Sequence, residues 1–428
     1  MGGWLTLGAK CCLNTSMLRK PRSIQSVYLL LVLGNTLATS FIWGINTIFL
    51  LDAGLSNFQA FAANAFFTLG QVLFEVPTGI IADTFGRRIS YMLGSLTLAF
   101  STFLYLLMWQ IHGPFWGWAG SSILLGLGYT FFSGATEAWL VDALKATNFK
   151  GHLESVFAKG QIVGGVAMLT GSILGGIIAQ YSNLGMPYIL RGLVLLVNFA
   201  TAFFLMKDLG FTPKKAKQPL NEMKNIFSKS IDHGLKNPPV RWIMLAAPFT
   251  TGVSFYIFYA LQPYLLEMYG DSKAYGIAGL VAAIVALTSI AGGILAPRIR
   301  KLFSRRTTAM FIGIFITGVL LIVVSQITNF WLALLLIFLW GLIFAAIYPI
   351  RQAYLNGLIP TKQRATVLSF DSLLGSSGGV VIQPSLGKVA DIGGYPASYA
   401  VASLFQFAAL PFIYLARREK PRSDSTTN

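Results

Sequence analysis

The sequence has few charged residues and little that could support redox or metal chemistry. Only 11% of its 428 residues are charged, against about 25% in an ordinary soluble domain. Its two cysteines, Cys11 and Cys12, are adjacent, which suits neither a disulfide framework nor a zinc site. The three histidines fall in or near predicted loops, with no cysteine or histidine partner. No Walker motif occurs, so ATP is excluded as the energy source.

Long apolar runs dominate the rest of the chain, and hydrophobic residues make up 55% of it. A spanning helix needs about 20 apolar residues. Runs such as LLLVLG are continuous rather than alternating, which excludes a membrane barrel. The sequence therefore predicts an all-α integral membrane protein with twelve transmembrane helices, at residues 24–51, 56–83, 88–110, 115–144, 153–181, 187–206, 240–268, 274–297, 305–327, 329–358, 364–390 and 396–416.

Basic residues are concentrated in alternate loops. The net charge of +17 would suggest nucleic acid in a soluble protein, but here its distribution follows the positive-inside rule. Both termini and every even-numbered loop are predicted to be cytoplasmic, with Lys273 as an exception outside. We therefore predict a multi-pass protein of the cell (inner) membrane that contacts lipid and a small-molecule substrate, binds no nucleic acid and acts as a monomer.

The two halves of the chain resemble each other. The stretch GLGYTFFSGATEAWL, ending at Leu140, aligns with GLIFAAIYPIRQAYL, ending at Leu355, and GIIAD from Gly79 aligns with GILAP from Gly293. Such repeats are typical of transporters with two six-helix halves. The predicted organisation is a cytoplasmic N-terminal tail (1–22, starting at Met1 or Met17), a first six-helix bundle (23–207), a cytoplasmic linker (208–238), a second bundle (239–416) and a C-terminal tail (417–428). The linker is read either as a basic amphipathic helix on the membrane surface or as a solvated connection.

A short motif, GIIADTFGRR from Gly79 to Arg88, lies between the second and third predicted helices. Gly79 would let another helix approach closely, and Gly86 can adopt a positive φ in a tight turn. Asp83 offers a carboxylate to the positive N-terminus of a neighbouring helix. The motif would thus hold one conformation as a latch, or its arginines would only anchor the helix at the lipid headgroups.

This motif resembles the signature loop of the major facilitator superfamily, and with twelve helices and a repeat the resemblance covers essentially the whole chain. It implies two pseudo-symmetric six-helix bundles and alternating access, with Asp83 contacting the eleventh helix and Arg87 pairing with Asp142. The expected latch residues are Gly79, Asp83, Gly86, Arg87, Arg88 and Asp142. The chain departs from the pattern at Pro297, which replaces a second latch aspartate. The fourth helix lacks the arginine of proton-coupled members, and the glycine-rich fifth helix lacks the proline of drug–proton antiporters.

Six charged residues fall inside the predicted helices, where each costs about 2.5–3.5 kcal/mol on insertion scales. They are Glu75, Glu137, Lys159, Arg191, Arg351 and Asp371. Counting residues along each helix places Glu137, Lys159, Arg351 and Asp371 at one depth, and by the resemblance this layer would line the central path. Glu137 is the first candidate for proton coupling, or else forms a static pair with Arg351 or Lys159, and Asp371 is the second candidate. Glu75 would support the latch or take up a proton, and Arg191 would snorkel to the outer surface.

Several aromatic residues lie on helices that the resemblance places around a central cavity. They would bind an apolar or cationic substrate by stacking and cation–π contacts, or simply pack between helices. They are Trp43, Tyr129, Phe132, Trp139, Tyr256, Tyr259, Trp340, Tyr348 and Tyr354.

The leading hypothesis from sequence is a secondary active transporter. By resemblance it would be a bacterial, drug–proton antiporter-like protein that exports small amphiphilic compounds or drugs, with no cofactor and with a proton gradient as its energy source. The alternatives are an importer of a nutrient or metabolite and a membrane sensor that transports nothing. An enzyme is not expected, because no nucleophile with a base and no metal cluster is recognisable.

Overall fold

A computed structural model describes residues 20–213, 224, 228, 231–360 and 363–425. The described part is helical, without strands, apart from an isolated bridge between Arg305 and Ser425. This confirms the predicted all-α class. The cysteines, both candidate start methionines and about half of the predicted linker lie outside the described residues.

The helices of the first half are α1 (Pro21–Ser40), α2 (Asn46–Asp52), α3 (Asn57–Phe85), α4 (Arg87–Gln110), α5 (Phe115–Thr130), α6 (Ala135–Ala146), α7 (Leu153–Tyr181) and α8 (Met186–Leu205). Those of the second half are α9 (Pro238–Tyr269), α10 (Tyr275–Lys301), α11 (Arg306–Gln326), α12 (Phe330–Leu358), α13 (Arg364–Ala408) and α14 (Leu410–Arg418).

Within the described residues, nine helical segments are long and apolar enough to cross a membrane. One of them, Thr366–Arg418, has 53 residues, which at 1.5 Å per residue is about 80 Å and suffices for two crossings. It bends where Gly394 adopts a φ of 75°, close to the predicted boundary between the last two helices. The first and fourth predicted helices are each divided, into α1 with α2 and α5 with α6. Eight single segments, the long segment counted twice, and the two divided helices make up the twelve predicted crossings.

The packing repeats in the two halves. In the first, α1 packs on α7, α3 on α5 and α4 on α8; in the second, α9 packs on α13, α10 on α12 and α11 on α13. Counted as crossings, these are pairs 1–5, 2–4 and 3–6, repeated as 7–11, 8–10 and 9–12. The halves meet through α3 with α13 and α7 with α10, two contacts that the pseudo-symmetry exchanges. The structure therefore confirms two pseudo-symmetric six-helix bundles.

Most of the basic residues at helix ends lie at one end of the bundle, which we call the basic end. It carries Arg87, Lys145, Arg298 and Arg364. At the opposite end, the break between α1 and α2 frees backbone groups that a continuous helix would pair. Gln262 of α9, which is buried, accepts a hydrogen bond from the Thr47 N–H at 3.0 Å and donates one to the Trp43 carbonyl at 2.8 Å. A side chain of the second half thereby satisfies backbone groups at the break in the first half.

A second connection at the opposite end joins α13 to α3. The carboxylate of Asp391 accepts hydrogen bonds from the backbone N–H groups of Asn57 at 2.8 Å and Phe58 at 3.0 Å, where it also favours the positive helix N-terminus. Nearby, α7 and α10 cross at Gly176 and Gly279, where a Cβ on Gly279 would lie 3.0 Å from the Gly176 Cα. The two halves are thus closely packed at the opposite end.

Candidate functional site

A cavity of about 690 Å³ separates the halves toward the basic end. At the opposite end α3 touches α13, since a Cβ on Gly387 would lie 2.9 Å from the Asn57 carbonyl oxygen, but a Cβ on Gly79 would meet nothing within 4 Å. The two helices therefore diverge toward the basic end. The cavity is lined by Gln71, Val72, Glu75, Val76, Gly79, Ile80, Ala82, Asp83, Thr84, Arg87, Ser133, Gly134, Ala138, Ser369, Ser372, Leu373 and Ser376.

A smaller cavity of about 230 Å³ lies deeper, with Gln71 in the walls of both. It is lined by Thr39, Ile42, Trp43, Asn46, Asn64, Phe67, Gln71, Tyr105, Leu125, Tyr129, Arg191 and Tyr259. Trp43, in the break between α1 and α2, lies in the wall of this smaller cavity on the side of the opposite end. We call this space the central cavity; its aromatic walls and few polar groups are typical of small-molecule sites.

The candidate aromatic residues divide between the central cavity and the core. Trp43, Tyr129 and Tyr259 line the central cavity, whereas Tyr348 is 58% exposed beside a separate crevice of the second half. The other five pack in buried hydrophobic clusters, which is the alternative of packing between helices and not substrate contact: Phe132, Trp139, Tyr256, Trp340 and Tyr354. In a chain that is apolar on every helix face, aromatic type alone does not distinguish core from cavity.

Of the two candidate proton-coupling acids of the first half, Glu75 and Glu137, only Glu75 lines the larger cavity; Asp83 also lines it but pairs with Arg87. The hydroxyl of Ser133, in the break before α6, donates a hydrogen bond to Glu75 Oε1 at 2.6 Å. Glu137 is exposed on α6, while Gly134 and Ala138 on the same helix segment line the cavity. Glu75 is therefore the acidic side chain best placed to meet a solute in the larger cavity.

Two of the candidate charges form a buried ion pair. Arg351 of α12 binds Asp371 of α13 through both terminal nitrogens, at 2.7 and 2.6 Å, and also donates to the Ile243 carbonyl at 3.4 Å. Asp371 is only 4% exposed. The proposed static pair of Arg351 with Glu137 is therefore wrong, because Asp371 occupies the guanidinium.

Lys159 lies apart from these groups. It is exposed and lines a groove at the basic end together with Lys20, Arg22 and His152. The expectation that Lys159 shares a layer with the charges of the central path is wrong, because the face of α7 that carries it turns toward the start of α1.

The Gly79–Arg88 motif contains an ion pair of its own. Arg87 forms an ion pair with Asp83, Nη2 to Oδ1 at 2.6 Å, and not the expected pair with Asp142. Gly79 faces the cavity, so the predicted close approach of another helix is wrong for this conformation. Gly86 has a φ of 112°, which confirms the predicted positive φ. The role of these residues as a latch stays a prediction.

Arg88 and Asp208 connect the motif to the end of α8. The Arg88 guanidinium donates to the carbonyls of Ala202 and Phe203, in the last turn of α8, where a cation is favourable. Asp208 accepts the Arg88 N–H at 3.0 Å. Burial raises the pKa of the Asp208 carboxyl, while that hydrogen bond and the charge of Arg88 oppose the rise.

Replacing Gly86 by alanine is expected to destabilise the protein. Alanine would have to adopt a backbone conformation that costs about 1–3 kcal/mol outside glycine, and its Cβ would lie 2.3 Å from Asp208 Oδ2. The midpoint of thermal unfolding in detergent measures the loss. Gly54→Ala is the matched control, because Gly54 has a φ of 90° with nothing within 4 Å of an added Cβ. Equal losses in the two variants would mean that the Asp208 contact adds nothing.

Sequence reasoning missed several residues of the site and misplaced Arg191. This arginine is 1% exposed and lines the central cavity, so the prediction that it snorkels is wrong. The amides Asn46, Asn64 and Gln71 were overlooked, although a neutral amide inside a spanning helix is itself a signal that a partner is needed. Among the described residues there is no group of three or more His, Cys, Asp or Glu side chains that could hold a metal ion.

Comparison with known proteins extends the resemblance over both halves. The sequence model of the Major Facilitator Superfamily matches residues 28–302 and 274–428. An uncharacterised MFS-type transporter of Methanocaldococcus jannaschii is 23% identical over 383 residues, 89% of this chain and 94% of that protein. The multidrug resistance protein MdtG of Salmonella typhimurium is 28% identical over 286 residues, and the match spans 65% of each chain.

A solved structure, that of the nucleoside transporter NupG, superposes with a TM-score of 0.76 over 93% of this chain and 100% of that one, at 10% identity. At that identity the likeness shows the fold alone. The family match covers nearly the whole chain and agrees with the twelve crossings, the repeat and the cavity between the halves. The chain therefore belongs to the Major Facilitator Superfamily and is a multi-pass membrane transporter.

Proposed function

We propose that this transporter exports small amphiphilic compounds, drugs among them, by alternating access coupled to proton entry. The observation that carries the proposal is the cavity at the basic end, which is lined by Glu75 and shares Gln71 with the aromatic central cavity. The relative MdtG, a multidrug resistance protein, supports export.

The basic end faces the cytoplasm in this proposal, because the positive-inside rule places basic loops there. The protein would lie in the cell (inner) membrane as a monomer with both termini cytoplasmic. In the conformation described, a compound from the cytoplasm or the inner leaflet reaches the central cavity. The proton gradient supplies the energy and no cofactor is required.

Glu75 is the coupling residue we propose. Its carboxylate accepts a hydrogen bond from Ser133 and faces the larger cavity. In the proposed cycle, closing of α3 and α13 at the basic end would take this carboxylate out of contact with the cytoplasm. A proton taken up from outside would then leave toward the cytoplasm when the cavity reopens. Glu137, which does not line the cavity, remains a second position to test.

Glu75→Gln is expected to abolish transport driven by an imposed pH gradient, because glutamine keeps the hydrogen bond but carries no titratable proton. The uptake of a fluorescent dye into proteoliposomes is measured with and without the gradient, with ethidium and carboxyfluorescein as the first probes. We expect the gradient-driven rate to fall at least tenfold, while exchange of labelled for unlabelled dye at equal pH persists. Gradient-driven uptake at the wild-type rate in Glu75→Gln would exclude this assignment.

Glu154→Gln is the matched control, since Glu154 is an exposed carboxylate of the same half and lines neither the larger nor the central cavity. Direction is tested separately by expression in a host that lacks its own exporters. Increased resistance to toxic compounds supports export. Import of a nutrient would instead make the host more sensitive to toxic analogues of that nutrient.

A further inference from the structure

Arg191 lies on α8, deep in the first half. It is five residues from the first residue of α8, about 8 Å along the axis, and only 1% exposed. Its Nε donates a hydrogen bond to the Thr102 hydroxyl at 3.0 Å. Its guanidinium carbon lies 6.0 Å from the centre of the Tyr129 ring, within the range of a cation–π contact.

The charge of Arg191 is not neutralised within the described residues. No described carboxylate forms an ion pair with it, and its Nη2 is buried without a hydrogen-bond partner among them. Arg351, the other deeply placed arginine, has Asp371 as a bidentate partner. A charge buried without a partner is costly, so the contrast between the two arginines requires an explanation.

A second unsatisfied donor lines the same cavity. Asn64 is 3% exposed and its Oδ1 accepts a hydrogen bond from Asn46 Nδ2 at 3.0 Å. Tyr188 in turn donates to Asn46 Oδ1 at 3.0 Å, which fixes the orientation of both amides. The Asn64 amide nitrogen is left without a hydrogen-bond partner among the described residues. Two residues that line the central cavity thus each carry an unpaired donor among the described residues, and one of these donors is charged.

We propose that Arg191 and Asn64 bind the carboxylate of the transported compound, so that the substrates are organic anions with a flat apolar body. A carboxylate accepts from several donors at once and forms strong charge-assisted bonds with a guanidinium. The aromatic side chains of Trp43, Tyr129 and Tyr259 would then contact the apolar body. This inference rests on the proposed function in one respect: it assumes that the compound bound in the central cavity is the compound exported.

The inference is tested by binding to the purified full-length protein in detergent. Benzoate is the probe, with benzyl alcohol as its neutral counterpart and benzylamine as its cationic one. We expect benzoate to raise the midpoint of thermal unfolding and the other two compounds to leave it unchanged. Benzenesulfonate distinguishes a requirement for a carboxylate from binding of any oxyanion. If benzoate and benzyl alcohol shift the midpoint of thermal unfolding of the unmodified protein equally, the inference is overturned.

Arg191→Gln is expected to weaken benzoate binding at least tenfold, because it removes the cation from a charge-assisted hydrogen bond. Arg191→Lys should retain part of the affinity, since lysine keeps the positive charge but lacks the planar fork of N–H donors that a guanidinium offers to a carboxylate. Arg241→Gln is the matched control: Arg241 lies on α9 over the Trp242 ring and outside the central cavity. Unchanged benzoate binding in Arg191→Gln would overturn the inference.

The binding and transport assays separate this inference from the proposed export. If proteoliposomes move neutral or cationic dyes on a pH gradient and Arg191→Gln does not alter the rate, export stands and the anion site is rejected. If benzoate binds through Arg191 but no compound moves on a gradient, the anion site stands and proton-coupled export is rejected.

Discussion

Replacing Arg351 by methionine is expected to lower the free energy of unfolding by about 3–5 kcal/mol, because it leaves a buried carboxylate without its partner. Asp371 is 4% exposed and accepts both of its short hydrogen bonds from Arg351. Methionine conserves much of the volume, so loss of packing contributes little. Thermal unfolding in detergent and the yield of folded protein in membranes both measure the effect.

The double variant Arg351→Met with Asp371→Leu should recover most of that loss, since replacing a whole buried pair by apolar side chains is often neutral. Lys236→Met is the control for loss of a cation from an exposed pair, because Lys236 and Asp232 are 69% and 49% exposed, and such pairs contribute little. A double variant as unstable as Arg351→Met alone would contradict the uncompensated charge as the cause. If the stable double variant loses gradient-driven transport, the pair takes part in coupling, as the sequence predicted for Asp371.

The number of crossings and the pseudo-symmetry could be predicted from the sequence, because lipid imposes a minimum length of apolar helix. The breaks in the first and fourth crossings could not. Phe41–Ile45 and Phe131–Gly134 contain no proline, and although each contains a glycine, so do unbroken helices such as α7. The first break depends on Gln262, more than 200 residues away in the chain, which satisfies the freed backbone groups.

The charged site residues could be identified from the sequence, but their partners could not. Counting residues along a helix gives depth, and depth suggested one layer containing Glu137, Lys159, Arg351 and Asp371. Partners depend on which helix face each residue occupies, and a spanning helix that is apolar all round gives no such signal. Arg191 illustrates the consequence: its position near the start of α8 suggested snorkelling, whereas its side chain points inward to Thr102.

The arrangement of the halves explains why glycine occurs at two equivalent positions. Gly79 on α3 and Gly293 on α10 correspond in the repeat, and a Cβ on either would meet nothing within 4 Å. At the opposite end, by contrast, Gly176 and Gly279 are in close contact across the halves. Small residues let helices approach closely, so the uncontacted glycines at the basic end suit a second conformation in which that end is closed.

Gly79→Leu is therefore expected to reduce transport at least tenfold without lowering thermal stability. Leucine has room in the conformation described, but it would obstruct the approach of α13 to α3 that closes the basic end, and a transporter held in one state cannot complete its cycle. Gly120→Leu is the matched control, because Gly120 is exposed on α5, has nothing within 4 Å of an added Cβ and lines neither of the two cavities between the halves.

The trapped state can be measured directly. With Cys11 and Cys12 replaced by serine, a cysteine introduced for Ser372, which lines the larger cavity, reports access from the basic end to a water-soluble maleimide. We expect Gly79→Leu to be labelled faster than the parent, because it spends less time closed at that end. A Gly79→Leu variant that transports normally and is labelled at the parent rate would show that α3 and α13 do not close at this position, and the closure invoked for Glu75 would lose its basis.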